Sequence, residues 1–125
     1  MRYAIFSDVH SNLQALNAVI ASCNEEGLRA YICVGDIIGY GPEPRDCIKR
    51  LKELKVTSVA GNHEWAVLDR MDLSTFNPMA EQAIKWTQQE LDREDLQWVD
   101  GLELSCTYDE FTLVHASLSQ PQYFK

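Results

Sequence analysis

Apolar residues in the first half of the chain form short continuous runs separated by helical stripes. The runs 3–6, 30–34 and 56–60 are rich in aliphatic and aromatic residues, and they predict three strands. Between the runs, apolar residues recur three and four positions apart after Ser11 and after Pro44, which predicts two helices. Continuous apolar strands that alternate with helices predict an α/β fold with a parallel βαβαβ sheet and helices on both faces.

Polar residues mark the ends of the first predicted helix. Ser11 and Gln14 have the spacing of a capping box, so Ser11 is predicted as the N-cap. Gly27 follows the last apolar position of the stripe and predicts the end of the helix. The free amides of the first turn would then lie beside Asp8 and His10, where they favour anions.

The pattern in the second half of the chain predicts a helix followed by a hairpin. Asn77 and Pro78 have the residue types of an N-cap and a first helical position. The charged segment 92–95 is interpreted as a solvated turn. The segments 102–108 and 111–114 surround a two-residue acidic turn and predict an antiparallel hairpin.

Polar side chains follow each of the three predicted strands. Asp8 and His10 follow the first strand, Asp36 follows the second, and Asn62 and His63 follow the third. Ligands of parallel α/β sheets bind outside the carboxyl ends of the strands, so we expect these side chains to converge. A carboxylate and an imidazole together suit a transition-metal ion.

Length and charge narrow the possible functions. A chain of 125 residues predicts a single domain, 1–125. Its net charge of -8 argues against binding a long nucleic acid, but a small phosphorylated substrate remains compatible if cations supply positive charge. The apolar run before Asp8 is too short for a signal peptide and no stretch has the length of a membrane span, so a cytoplasmic location is expected.

The four cysteines show no close pairing. Cys33 and Cys106 lie in strand-like runs, whereas Cys23 and Cys47 fall on apolar helix faces. We expect all four to be reduced and to pack as small hydrophobic residues.

Three motifs occur in order along the chain: Asp8-Val9-His10, Gly35-Asp36-Ile37-Ile38-Gly39 and Gly61-Asn62-His63-Glu64. They resemble the D-x-H, G-D-x-x-G and G-N-H-[DE] motifs of the calcineurin-like metallophosphoesterase superfamily. The run 39–44 is similar to a bacterial and archaeal phosphodiesterase-like branch, and His115 resembles the histidine of the fourth motif. A single D-x-H would be weak evidence, whereas three motifs in register make chance resemblance improbable.

The resemblance implies a part of the family's α/β/β/α sandwich and a metal-dependent phosphoesterase. Such an enzyme would hydrolyse a phosphodiester or a phosphomonoester with a hydroxide activated by two divalent metal ions. Mn, Fe and Zn are the candidate metals, and Mn is favoured.

The resemblance also implies a role for each ligand. Asp8 and His10 would bind the first metal, Asp36 would bridge the two metals, and Asn62 and His115 would bind the second. Taken singly, Asp8 could instead cap a helix and His10 could be a surface histidine. Asp36 and Asn62 could be loop residues that tolerate unusual dihedral angles, and His115 could merely end an edge strand.

Catalytic roles are implied for two adjacent residues. Asn62 would also touch the phosphate. His63 would donate a proton to the leaving oxygen or stabilise charge, for which a histidine near its ordinary pKa is suited. Glu64 is interpreted as a capping or supporting residue.

The family's last motif, G-H-x-H, does not occur in this sequence, whose histidines are His10, His63 and His115. The domain is therefore interpreted as truncated, with weaker metal binding expected. A homodimer or an exchange of elements between two copies would cover the absent half. Two alternatives stay open: a catalytically impaired scaffold that binds metal or a protein partner, and a flavodoxin-like signalling domain.

Overall fold

The computed structural model describes residues 2–125 and contains a three-stranded parallel sheet in the order β1-β2-β3. The strands are β1 Ala4–Phe6, β2 Tyr31–Cys33 and β3 Thr57–Ser58. In the register of the sheet, Ile5 lies opposite Ile32. The three predicted strands are confirmed, although each is shorter than its apolar run because its ends leave the hydrogen-bonded ladder and enter loops.

Helices follow the strands in sequence, and a hairpin closes the fold. The helices are α1 Leu13–Glu25, α2 Pro44–Glu53, α3 Asn62–Val67, α4 Pro78–Glu90 and α5 Arg93–Asp100. Single 3₁₀ turns lie at Leu73–Thr75 and Pro121–Tyr123. The predicted hairpin is confirmed as β4 Ser105–Thr107 and β5 Thr112–Val114, with Cys106 opposite Leu113.

Two predictions about local structure were wrong. The N-cap of α1 is Asn12, whose side chain accepts a hydrogen bond from the Ala15 amide, whereas Ser11 is buried one residue earlier. The charged segment 92–95 is the start of α5 rather than a turn. Asp92 and Asp95 cap that helix reciprocally, and Arg45 pairs with both carboxylates, which explains how Asp95 can be buried.

The predicted parallel sheet is present, and its helices lie on one face rather than on both. The strand order does not reverse, and right-handed crossovers then keep successive helices on one face. Residues of all five described helices join Ala4, Tyr31 and Cys33 in one core. On the other face, Ile32 packs against Leu113 of the hairpin. Continuous apolar strands require cover on both faces, but they do not specify which element provides it.

The cysteines are all unpaired, as predicted. Cys33 and Cys47 are buried, and Cys23 and Cys106 are half-buried. Burial raises the pKa of the Cys33 and Cys47 thiols to about 12. None of the helices within residues 2–125 has the length and apolar character needed for a bilayer crossing.

Candidate metal centre

The loops after the strands are joined by backbone hydrogen bonds. The Asp8 amide donates to the Gly35 carbonyl at 3.0 Å, and the His10 amide donates to the Asp36 carbonyl at 3.0 Å. Asp8, His10 and Asp36 all have positive φ angles, between 47° and 60°. Such conformations are uncommon for residues with side chains and cluster at functional sites. The first two loops therefore form one rigid unit at the carboxyl edge of the sheet.

The side chains of that unit converge on Asp36, which is 4% exposed. His10 Nε2 lies 3.6 Å from Asp36 Oδ2 and 3.4 Å from Asp8 Oδ1. His115 Nε2 lies 3.3 Å from Asp36 Oδ2. There are two groups of potential metal ligands: Asp8, Asp36 and His115, and His10, Asp36 and His63. Within each group, the ligand atoms all lie within 4.8 Å of one another. Asp36 belongs to both groups.

Backbone carbonyls orient two of the imidazoles. His10 Nδ1 lies 3.1 Å from the Ile38 carbonyl oxygen, and His115 Nδ1 lies 2.7 Å from the Val34 carbonyl oxygen. An Nδ1–H that donates to a carbonyl leaves the Nε2 atom facing Asp36. This is the arrangement that metal-binding histidines adopt in proteins.

The Asn62 amide completes the cluster. It lies 3.1 Å from both Asp36 carboxylate oxygens and 3.2 Å from His115 Nε2. With its oxygen toward these atoms, acceptors face one another, an arrangement that a cation stabilises. With the amide rotated end for end, its NH₂ group donates to the same atoms. In either orientation Asn62 lies among the predicted ligands.

The Asp36 and His115 side chains shift each other's pKa. The hydrogen bond to Asp36 raises the pKa of His115 to about 9. Burial favours a higher pKa for Asp36, but His115 and the His63 amide outweigh it, so the pKa of Asp36 is lowered. A proton on His115 thus compensates the buried carboxylate, and a divalent cation can replace that proton. The carboxylate, imidazole and amide donors therefore fit a divalent transition metal.

His63 lies beside this cluster, buried and 4% exposed. Its ring centroid is 4.7 Å from that of His10 and 5.4 Å from that of Phe76. Its Nδ1 atom has no hydrogen-bond partner among residues 2–125. Burial lowers the pKa of His63, whereas the sequence had suggested a pKa near the ordinary value. Gly39, at a φ of 90°, leaves the space for the ring, since a Cβ there would overlap His63 Nδ1.

Glu64 has a larger structural role than helix capping. Its fully buried carboxylate accepts hydrogen bonds from the Gly61 amide at 2.9 Å and from the Asp36 amide at 2.7 Å. The Ile37 and Ile38 amides donate to its other oxygen at 3.0 and 3.3 Å. Burial raises the pKa of Glu64 to about 7, and these backbone donors oppose that change. Glu64 therefore fastens the second loop to the third.

The structure thus brings together all the predicted site residues: Asp8, His10, Asp36, Asn62, His63 and His115. Sequence reasoning did not identify Tyr40, whose ring centroid lies 5.0 Å from those of His10 and His63. An aromatic residue between two glycines of a loop that already carries a predicted ligand was the available signal. Ser11 was also misassigned, and no periodicity would have indicated its buried position.

Sequence comparisons identify a family and relatives that this chain resembles. Residues 1–124 match the family described as calcineurin-like phosphoesterase. An uncharacterized protein of Methanocaldococcus jannaschii is 42% identical over 101 residues, which are 81% of this chain and 42% of that protein. Serine/threonine-protein phosphatase 1 of Salmonella typhimurium is 32% identical over 66 residues, which are 52% of this chain and 31% of that protein.

Solved structures share the fold. The crystal structure of a metallophosphoesterase from Sphaerobacter thermophilus has a TM-score of 0.81 and 41% identity, covering 97% of this chain and 49% of that chain. A hypothetical protein from Pyrococcus horikoshii OT3, at a TM-score of 0.70 and 21% identity, covers 83% of this chain and 48% of that chain and shows the fold alone. The chain spans about half the length of these structures. Because the family match covers 124 of its 125 residues, the chain belongs to the calcineurin-like phosphoesterase family.

Proposed function

We propose that this chain is a metal-dependent phosphoesterase that hydrolyses phosphodiesters or small phosphomonoesters with two divalent metal ions. Manganese is the favoured metal among manganese, iron and zinc. The convergence on Asp36 carries the proposal, because potential ligand atoms of His10 and His115 lie 3.6 and 3.3 Å from its carboxylate. A carboxylate with potential ligands around it suits a bridge between two cations.

The motif resemblance supplies a role for each ligand. Asp8 and His10 would hold the first ion, Asp36 would bridge, and Asn62 and His115 would hold the second. When bound, divalent ions would lower the pKa of a coordinated water and would place positive charge beside the phosphoryl oxygens. The backbone contacts of His10 and His115 keep each ligand nitrogen in place without a substrate.

Asn62 and His63 act on the substrate. Asn62 contacts a phosphoryl oxygen through its amide. His63 gives a proton to the leaving oxygen or donates a hydrogen bond to developing charge there. A neutral imidazole retains one N–H donor, so the second role remains available at the lowered pKa of His63.

Hydrolysis of bis-p-nitrophenyl phosphate with added Mn²⁺ tests the proposal. We expect a metal-dependent rate that chelation abolishes, and a large loss of kcat in Asp36→Asn and His63→Ala. Asp109→Asn makes the same carboxylate-to-amide change at an exposed turn and leaves the rate unchanged. A chain that hydrolyses nothing, or an Asp36→Asn variant with full rate, would refute the proposal. Metal binding without turnover would support the alternative of a non-catalytic scaffold.

A further inference from the structure

An uncharged groove opens beside the metal centre. Tyr40 and Pro42 line it from the loop after β2, and Met79, Gln82 and Trp86 line it from α4. Its volume is about 410 Å³, and none of its lining residues carries a charge. This size is within the range of small-molecule sites, which combine apolar walls with a few polar groups.

Tyr40 connects the groove to the metal centre. Its ring is in contact with both His10 and His63, yet the residue is 49% exposed. Its φ of 58° is costly for a bulky side chain. The following amide, of Gly41, donates to the His10 carbonyl at 3.0 Å and so fixes this backbone to the first loop. The position of the Tyr40 ring is therefore set by the backbone of the loops that form the site.

The opposite wall is unusually apolar for an exposed surface. Met79 is 76% exposed and Trp86 is 39% exposed, and the Gln82 amide lies with them on the same wall. Aromatic side chains stack on the faces of flat heteroaromatic rings, whatever the identity of the ring. A side-chain amide can donate hydrogen bonds to the edge of such a ring and accept them from it.

A ligand that spans the centre and the groove needs two chemically different ends. The end at Asp36 must be anionic and compatible with cations, and the end at Trp86 must be neutral and flat. Nucleotides have both ends. We propose that the groove binds the nucleobase of a nucleotide substrate whose phosphate lies at the metal centre. This inference rests on the proposed function, because that function assigns the phosphate to the centre.

Calorimetric titrations of the full chain with Mn²⁺ present test the groove. Adenosine monophosphate and ribose 5-phosphate share a phosphate and a sugar, but only the former has a base. We expect adenosine monophosphate to bind about tenfold more tightly. Trp86→Ala should remove that difference without changing the affinity for ribose 5-phosphate, and Trp86→Phe, which retains a stacking ring, should keep most of it. Tyr123→Ala, an exposed aromatic outside the groove, is the matched control.

Three results would overturn the nucleobase subsite: equal affinities of the wild-type chain for both probes, no binding of adenosine monophosphate, or an undiminished preference in Trp86→Ala. Loss of self-association in Trp86→Ala, with no change in the preference for adenosine monophosphate, would identify the groove as an interface between copies. Hydrolysis of bis-p-nitrophenyl phosphate reports on the proposed function separately. Retained hydrolysis with equal affinities would refute only the groove, and a retained preference without hydrolysis would refute only catalysis.

Discussion

The two regions that build the candidate metal centre are held in different ways. The strand-end loops, residues 8–11, 35–41 and 61–64, are joined by backbone hydrogen bonds and by the buried Glu64 carboxylate. The hairpin region, residues 105–115, contributes His115 alone. That imidazole is fixed by its hydrogen bond to Val34 and by Asp36.

The strand-end loops are also more extensively packed than the hairpin. The loops adjoin the large core beneath the helices, whereas the buried residues of the hairpin-side cluster are Ile32, Val59 and Leu113. Ile5, which lies on that side of the sheet, is 55% exposed. The difference implies that the two proposed cation positions would not be equally robust. One depends on loops that specify one another, and the other also depends on a lightly packed hairpin.

The largest expected effect comes from the shared ligand. Asp36→Asn should abolish binding of both ions and reduce hydrolysis at least about 100-fold, because the bridging charge is lost. His115→Ala should leave one ion bound, because the loop ligands remain. Mn²⁺ titration by calorimetry gives the two stoichiometries. If both variants lost the same number of bound ions, the two proposed positions would be equally robust, and the comparison would be wrong.

A side chain at Gly39 should break the loop region. Gly39→Ala adds a Cβ where His63 stands, at a φ of 90°, and should lower the free energy of unfolding by about 3 kcal/mol. Gly101→Ala is the matched control, since its nearest neighbours would lie at 3.5 and 3.6 Å and its φ is -77°. Urea unfolding measures both changes. A Gly39→Ala protein as stable as Gly101→Ala would show that the loops are pliable.

The contribution of Glu64 should be smaller but clear. Glu64→Gln replaces one acceptor oxygen by a donor that faces backbone amides, so we expect a loss of about 2–3 kcal/mol. Glu81→Gln, in a surface ion pair with Lys85, should cost less than about 0.5 kcal/mol. Urea unfolding of both variants checks this. Similar losses would mean that Glu64 does not fasten the loops.

The smallest expected effect is a pH dependence caused by the hairpin's histidine. The pKa of His115 is raised to about 9 in the folded chain. Protonated His115 therefore stabilises the folded chain fully below pH 6.5, and this contribution is lost as the pH rises through 9. Chelator-treated protein should therefore lose roughly 1–2 kcal/mol between pH 7 and 8.5. Urea unfolding at each pH measures the loss, and His115→Gln should flatten it. A slope that survives in His115→Gln would assign the effect elsewhere.

Sequence reasoning predicted much of the fold because strong local signals agreed. Pro78 after Asn77 predicted the start of α4, and the three apolar runs predicted the parallel strands. It failed at Asp92 and Asp95, where a charged segment is a capped helix whose acids are paired with Arg45. That partner lies 47 residues from Asp92 along the chain, so no local pattern could reveal it.

By itself, the sequence determined which side chains end the strands, because short apolar runs must stop where polar residues begin. Asp8, His10, Asp36, Asn62, His63 and His115 were all identifiable in this way or by motif resemblance. Only the tertiary structure decided that helices cover one face of the sheet, that Glu64 joins two loops, and that the Tyr40 ring contacts two imidazoles. These features depend on contacts between segments distant in sequence, whose geometry is set by strand order and packing rather than by local periodicity.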